Sequence, residues 1–300
     1  LPMVDVVGLP DAAVRESRER VRTAMRNSGF SFPAAQITIN LAPADIKKEG
    51  PWYDLPIALG ILSASEQLKA ESLTGLVVLG ALSLDGTIGA VTGALPMMLA
   101  ARRQGVKRAL LPEENAKQCA CLSGLELYPV KNLKQTVAFL RGQERIEPLP
   151  QSVYSAESEH SEPLVDLSSI RGQMSARRAL EVAAAGGHNL LLIGTAGSGK
   201  TMLARALPGI LPRMTEQEAL ETTVIHSVAG DWQGGLMTQR PFSAPHHTTS
   251  AVALIGGGRS AMPGEISKAH NGVLFLDELP EYPRPVLEAL RQPMEDGEVT

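Results

Sequence analysis

Apolar positions recur along this chain in two rhythms, and the change from one to the other marks out its elements. Behind Pro10-Asp11, Val14, Val21 and Met25 keep helical spacing until Gly29, which predicts an amphipathic helix with a defined start and stop. Ile37, Ile39 and Leu41 alternate with polar neighbours, as in a half-buried strand. Leu55 to Leu68 is nearly all apolar or small, which predicts a buried helix, and Val77-Val78-Leu79 predicts a strand. Leu82 to Ile88 alternates about Asp85-Gly86, a hairpin signal. A helix over about Leu95 to Gln104, a strand at Ala109 to Leu111 and a helix from Asn132 to Leu140, capped by Gly142, complete a mixed domain over 1–141.

Between 142 and 163 the pattern lapses. Pro148, Pro150, Ser152, Ser155, Ser158, Ser161 and Pro163 alternate with Glu144, Glu147, Glu157, Glu159 and Glu162, and so polar a stretch reads as a flexible linker in which His160 is solvated. A second domain is expected over 164–300. Ala176, Ala179, Leu180 and Ala183 follow helical spacing up to Gly186-Gly187. Leu190-Leu191-Leu192-Ile193 suits a buried parallel strand, and Met202, Leu203, Ala206 and Leu207 a helix that Pro208-Gly209 should stop. A further apolar run, Gly272 to Leu276, ends on Asp277-Glu278 and is expected to lie as a buried strand beside the first.

Composition narrows the classes. Three hundred residues suggest two domains, and 44% hydrophobic with 20% charged residues describes an ordinary globular protein. No apolar run approaches the ~20 residues of a membrane span, and no basic segment precedes an apolar core as in a secretory signal, so a cytoplasmic location without membrane contact is expected. The chain opens on Leu1 rather than Met, from which a missing true N-terminus is expected. A net charge of −4 leaves no whole-surface attraction to nucleic acid; Arg171, Arg177 and Arg178 could form only a local patch, and they read as a solvated helix face. Cys119 and Cys121, one residue apart, read as reduced thiols.

The chemistry gathers in two places. Gly194-Thr195-Ala196-Gly197-Ser198-Gly199-Lys200-Thr201 fits G-x-x-x-x-G-K-[ST], the phosphate-binding loop of nucleotide triphosphatases. Its order of strand, glycine turn and helix start aims backbone N–H groups and the positive end of a helix dipole at one point. Lys200 would reach the β- and γ-phosphates of ATP, and the Thr201 hydroxyl would ligate Mg²⁺. Asp277-Glu278 closes an apolar strand in the Walker B pattern: Asp277 would hold Mg²⁺ opposite Thr201, and Glu278 would act as general base on the attacking water. His246-His247 invites a zinc reading, but adjacent residues point to different sides and no nearby Cys or His completes a tetrahedral set.

Three stretches carry a resemblance in the first domain: Lys48 to Pro56 (Lys-Glu-Gly-Pro-Trp-Tyr-Asp-Leu-Pro), Gly80 to Gly86, and Arg108 to Asn115. They resemble the Lon-protease-type fold of the ribosomal S5 domain 2 superfamily. In Lon proteases a serine follows Gly-Pro and a lysine precedes the helix ahead of the Pro-Glu-Glu-Asn strand. By that correspondence the two positions are Trp52 and Leu95, which can serve neither as nucleophile nor as base, so the domain is expected to be non-proteolytic.

In the second domain, Arg240 to His247 (Arg-Pro-Phe-Ser-Ala-Pro-His-His), Gly256-Gly257-Gly258, Pro263 to Glu281 and Leu290 to Glu295 resemble the Mg-chelatase-like AAA+ proteins of the ComM type. The resemblance implies an α/β protein. A Lon-protease-like α+β domain would precede a partial P-loop NTPase domain of AAA+ three-layer α/β architecture. It further implies an ATP-driven homo-hexamer acting on single-stranded or branched DNA as a branch-migration helicase in natural transformation, with the stretch from His246 to Gly258 projecting toward the ring's pore. The family commonly carries two prolines where this chain has Thr195 and Ala196; phosphates are held there through N–H groups that proline lacks, so binding is expected to survive. The family continues past Thr300 into sensor, arginine-finger and lid regions, so a chain truncated at both ends is expected to bind ATP weakly and hydrolyse it poorly. The other classes the sequence leaves open are a chelatase motor acting on a protein partner, an ATP-dependent protease, and an inactive fragment.

Overall fold

The computed structural model describes residues 4–151, 165–232, 234–258 and 261–298. It divides into two compact units, Leu1–Val153 with Gln233–Gly235, and Tyr154–Trp232 with Leu236–Thr300.

The first unit runs β1 (Val4–Val7), α1 (Ala12–Asn27), β2 (Ile37–Asn40), α2 (Asp54–Ala64), β3 (Leu76–Val78), β4 (Ala81–Leu82), β5 (Ile88–Gly89), α3 (Ala94–Arg103), β6 (Arg108–Pro112), α4 (Glu113–Cys119), β7 (Glu126–Val130) and α5 (Leu133–Leu140). α1 starts where the Asp11 carboxylate accepts the Val14 N–H at 2.7 Å, and Val14, Val21 and Met25 are fully buried on its inner face. α2 is buried on nearly all sides, as its composition predicts. β4 and β5 pair antiparallel across the Asp85-Gly86 turn. Two parallel sheets organise the unit, one of β1 and β2 and one in the order β3-β6-β7.

Three elements of this unit were not expected from the pattern: β1, α4 and β7. β7 contains Pro129, which can make no ladder donation, and it lies at the edge of its sheet where that loss is tolerated. Part of the expected linker docks on this unit: Ile146 is buried in its core, and the Leu149 N–H donates to the Leu127 carbonyl at 2.8 Å. Residues 152–164 of that stretch, with His160, lie outside the described residues.

The second unit runs α6 (Met174–Gly186), α7 (Lys200–Ile210), α8 (Glu216–Ala229), β8 (Phe242–Ser243), α9 (Ala251–Ile255), β9 (Gly256–Gly257), β10 (Met262–Pro263), α10 (Glu265–Lys268), β11 (Val273–Leu274), α11 (Arg284–Ala289) and α12 (Arg291–Asp296). α6 ends at Gly187 in the left-handed region, as expected. α7 differs: it runs through Pro208 to Ile210, and although the proline can donate nothing to the Ala204 carbonyl, the Leu211 N–H still donates to the Leu207 carbonyl at 3.2 Å beyond it.

The apolar run Leu190–Ile193 is the main correction. It forms no strand, and Leu191 and Ile193 are 67% and 88% exposed. β11 pairs in parallel with β8, with Leu274 opposite Ser243, and not with this run. An apolar tetrapeptide is held extended and buried only when a neighbouring strand takes up its N–H and C=O groups, and none of the described residues does so.

The Arg-Pro-Phe stretch also finds its reason. The Arg240 guanidinium donates to the Pro212 and Asn271 carbonyls at 2.6 and 2.7 Å and pairs with Glu218, joining the start of α8 to the residue before Gly272.

Candidate functional site

Everything in this site lies in the second unit. The loop 194–199 turns on two glycines, Gly197 and Gly199, at φ +75° and +86°. An added Cβ would meet nothing within 4 Å at either, so it is the backbone conformation and not crowding that requires glycine. Gly199 caps α7, whose first-turn N–H groups have no intrahelical acceptor. The Gln173 amide donates to the Ser198 carbonyl at 3.3 Å and steadies the loop from the start of α6.

Lys200 folds back on this loop: its Nζ donates to the Gly194 and Thr195 carbonyls, 3.0 Å each. The Thr201 hydroxyl donates to Asp277 Oδ2 at 2.9 Å, so two residues far apart in sequence meet end to end. Asp277, three residues past the end of β11, accepts the Glu278 N–H through Oδ1 at 3.0 Å. Glu278 takes up φ +53°, a left-handed conformation that costs a non-glycine residue about 1–3 kcal/mol and is held only by its surroundings. A cavity of about 1990 Å³ is lined by Gly194 and the loop 196–201, the run 189–193 and the stretch 272–281.

The structure therefore brings together Gly194 to Thr201, Asp277 and Glu278, the residues singled out by spacing. It adds one that spacing had not assigned. His247 Nδ1 stands 3.4 Å from Glu278 Oε2, and the centroid of the His247 ring lies 4.0 Å from that of His246 and 6.5 Å from that of Tyr282, to which it is nearly perpendicular. The histidine pair was visible in the sequence, but its partner is set by the β8–β11 pairing. Tyr282 is buried, donates its hydroxyl to the Pro245 carbonyl at 2.5 Å, and has its phenol pKa raised by burial and by the nearby Asp277 charge. Among the described residues no three His, Cys, Asp or Glu side chains gather as a metal cage. Thr201 and Asp277 instead offer two hard oxygen donors, a set that suits Mg²⁺ when phosphates and water complete its octahedron.

The two positions equated with a serine and a lysine in the first unit carry no such chemistry: Trp52 is half-buried and Leu95 is 1% exposed in the core.

Residues 166–300 match the family described as magnesium chelatase, subunit ChlI, and residues 1–115 match that described as subunit ChlI of Mg-chelatase. The chain is 48% identical over 301 residues to the protein YifB of Salmonella typhimurium, which covers 100% of this chain and 58% of that protein. It is also 48% identical over 301 residues to the competence protein ComM of Haemophilus influenzae, covering 99% of this chain and 59% of that one. This chain thus spans less than two thirds of the length of these relatives. Lon protease 2 of Bacillus subtilis is 29% identical over 122 residues, 40% of this chain and 22% of the protease.

Proposed function

This chain belongs to the magnesium-chelatase subunit ChlI family, and from that membership we propose that it forms the nucleotide-binding part of an ATP-driven motor subunit. The observation that carries the reading is the Thr201–Asp277 hydrogen bond at the mouth of the glycine loop. It joins the two residues that would share a magnesium ion, beside a helix start able to receive phosphate.

In this reading the loop N–H groups of 194–199 bind the phosphates, and Lys200 leaves the Gly194 and Thr195 carbonyls for the more strongly charged phosphate oxygens. Thr201 and Asp277 hold Mg²⁺, which supplies charge to offset that developing on the transferred phosphoryl group. Glu278 takes the proton of the attacking water.

The domain reading follows the same lines. On this reading the second unit is part of a P-loop AAA+ domain of three-layer α/β architecture, over 164–300. The first, over 1–141, is a Lon-protease-like S5 domain 2-type fold, supported by its similarity to a Lon protease and without peptide hydrolysis because Trp52 and Leu95 replace the reactive pair. The kinship with a competence protein favours DNA, single-stranded or branched, as the substrate of a homo-hexamer remodelling it during natural transformation.

Calorimetric titration with Mg-ATP tests the first step. Binding is expected for the protein and its loss in Lys200→Ala, with Asp277→Asn losing the magnesium dependence. Equal affinity in Lys200→Ala would sink the proposal. Stimulation of ATP turnover by branched DNA, and not by unrelated polyanions, tests the substrate.

A further inference from the structure

We propose that one flank of α1, with the two phenyl rings beside it, is a surface for single-stranded nucleic acid; this rests on the reading of DNA as substrate and names the face of the first unit that serves it. The pattern begins in the helix. Val14, Ser17, Val21, Ala24 and Met25 are its buried residues. At about 100° per residue, Arg15, Arg18, Arg22 and Arg26 fall within ~80° of one another beside that buried face, in a stripe about 16 Å long.

Little within the unit answers these charges. Arg18 stands 3.6 Å from Glu19, and Arg15 donates to the Pro10 carbonyl at 3.3 Å. Among the described residues Arg15, Arg22 and Arg26 have no carboxylate within ion-pair distance, and the buried Nε of Arg22 has no acceptor. Arg20 is the contrast: it lies off the stripe and is taken up by the buried Asp54.

Two rings border the stripe. Phe30 and Phe32 pack on the core of the unit and are half-buried, each under an arginine. The Arg22 guanidinium stands 5.8 Å from the Phe32 centroid, and that of Arg141 5.8 Å from the Phe30 centroid. Ser31, between the rings, is fixed at both backbone groups: its N–H donates to the Gln67 side-chain oxygen at 3.0 Å, and its carbonyl accepts from the Gln67 amide at 2.8 Å. Arg141 donates to the Gln67 backbone carbonyl at 2.5 and 3.1 Å, which ties it to the same segment.

The chemistry selects the ligand. A row of unanswered guanidinium groups suits a run of phosphates, which it holds without reading sequence. The ring faces and guanidinium planes suit unpaired bases, which can stack where the paired bases of a duplex cannot. An acidic peptide would answer the charges and leave the rings unused. The net charge of −4 does not oppose such a row, because charges elsewhere on the surface are screened beyond about 8 Å at physiological salt.

The test follows the binding of fluorescent oligothymidylate by anisotropy at several salt concentrations. Each phosphate contact on a single strand adds about 0.7 to the slope of log affinity against log salt, so Arg15→Ala, Arg22→Ala and Arg26→Ala together should lower that slope by about 2. Arg26→Ala alone, at an exposed position in no ion pair, should lower it by about 0.7 and keeps the test usable if the triple variant does not fold. Phe30→Leu with Phe32→Leu, which keeps apolar cover over the core, should weaken binding roughly 5- to 150-fold per base that stacks, with the slope unchanged. Equal slopes in the parent protein and in Arg26→Ala overturn the proposal. So does displacement of the strand by polyglutamate as readily as by unlabelled oligothymidylate of equal charge, which would make the face a site for acidic peptide. If the protein binds the strand and every variant binds it equally, only this surface is wrong; if the protein binds no DNA at all, the reading of DNA as substrate fails as well.

Discussion

A Cβ on Gly272 would stand 2.1 Å from the Pro241 carbonyl oxygen, an atom fixed in the backbone just before β8. That oxygen accepts the Val273 N–H at 2.8 Å, so relief of the clash has to open the first rung between the two strands. Gly272→Ala is therefore expected to destabilise the second unit by about 1–3 kcal/mol, the range for overpacking, and to weaken nucleotide binding by moving Asp277 from Thr201. Urea unfolding followed by Trp232 emission, with a nucleotide titration alongside, checks both. Gly197→Ala has open space around it and should show only the strain of its positive φ, about 1–2 kcal/mol. At this scale the sequence was informative wherever one residue's chemistry is bound to a fixed spacing. Lys200 and Thr201 follow the glycines by a count, and the paired acids close an apolar run. His247 follows no such count, because its partnership with Glu278 depends on which strand lies next to β11.

Elements were legible where their signals are local and obscure where they depend on neighbours. α1 shows both its cap and its periodicity in the chain, and so does the hairpin at Asp85-Gly86. Leu190–Ile193 has the composition of a strand and lacks the ladder. β7 has the ladder and, through Pro129, lacks the composition. α8 lay between: its start is a Thr-x-x-Glu capping box that the sequence displays, in which Thr215 Oγ1 accepts the Glu218 N–H at 3.2 Å and the Glu218 carboxylate accepts the Thr215 N–H at 2.7 Å. Loss of the hydroxyl in Thr215→Ala should cost about 1 kcal/mol. The box also has a pH signature. The Thr215 N–H, aided by Arg240 and opposed by partial burial, holds the Glu218 carboxyl below its ordinary range. A carboxyl whose pKa is lower folded than unfolded contributes its stability fully above the unfolded value and loses it as pH falls through the folded one. Unfolding free energies between neutral pH and pH 3 should accordingly decline less steeply in Glu218→Gln than in the parent protein. Equal slopes would show that the contact adds nothing.

For the whole molecule, the two units have separate hydrophobic cores, and each should respond to its own perturbation. In the first, Asp54 is wholly buried at the start of α2 and is held by Arg20 through two hydrogen bonds, at 2.9 and 3.0 Å, with a third from the Leu82 N–H at 3.2 Å. The same contact raises the Arg20 pKa against the cost of its burial, so the guanidinium stays charged at every pH at which the protein is folded. Arg20→Ala would leave a buried carboxylate with one N–H partner and no counter-charge, a loss of about 3–5 kcal/mol. In the second unit the reciprocal perturbation is ligand: Mg-ATP at 100 times its dissociation constant should add about 2.7 kcal/mol, because it binds only the folded site. Hydrogen exchange read by peptide separates the two effects. Arg20→Ala should speed exchange in α1, α2 and β4 and leave α7 unchanged, while Mg-ATP should protect α7 and β11 and leave α2 unchanged. Protection of α2 by nucleotide in the parent protein, lost in Lys200→Ala, would mean that the first unit takes part in the nucleotide response, and the assignment of ATP binding to the second unit alone would have to be given up.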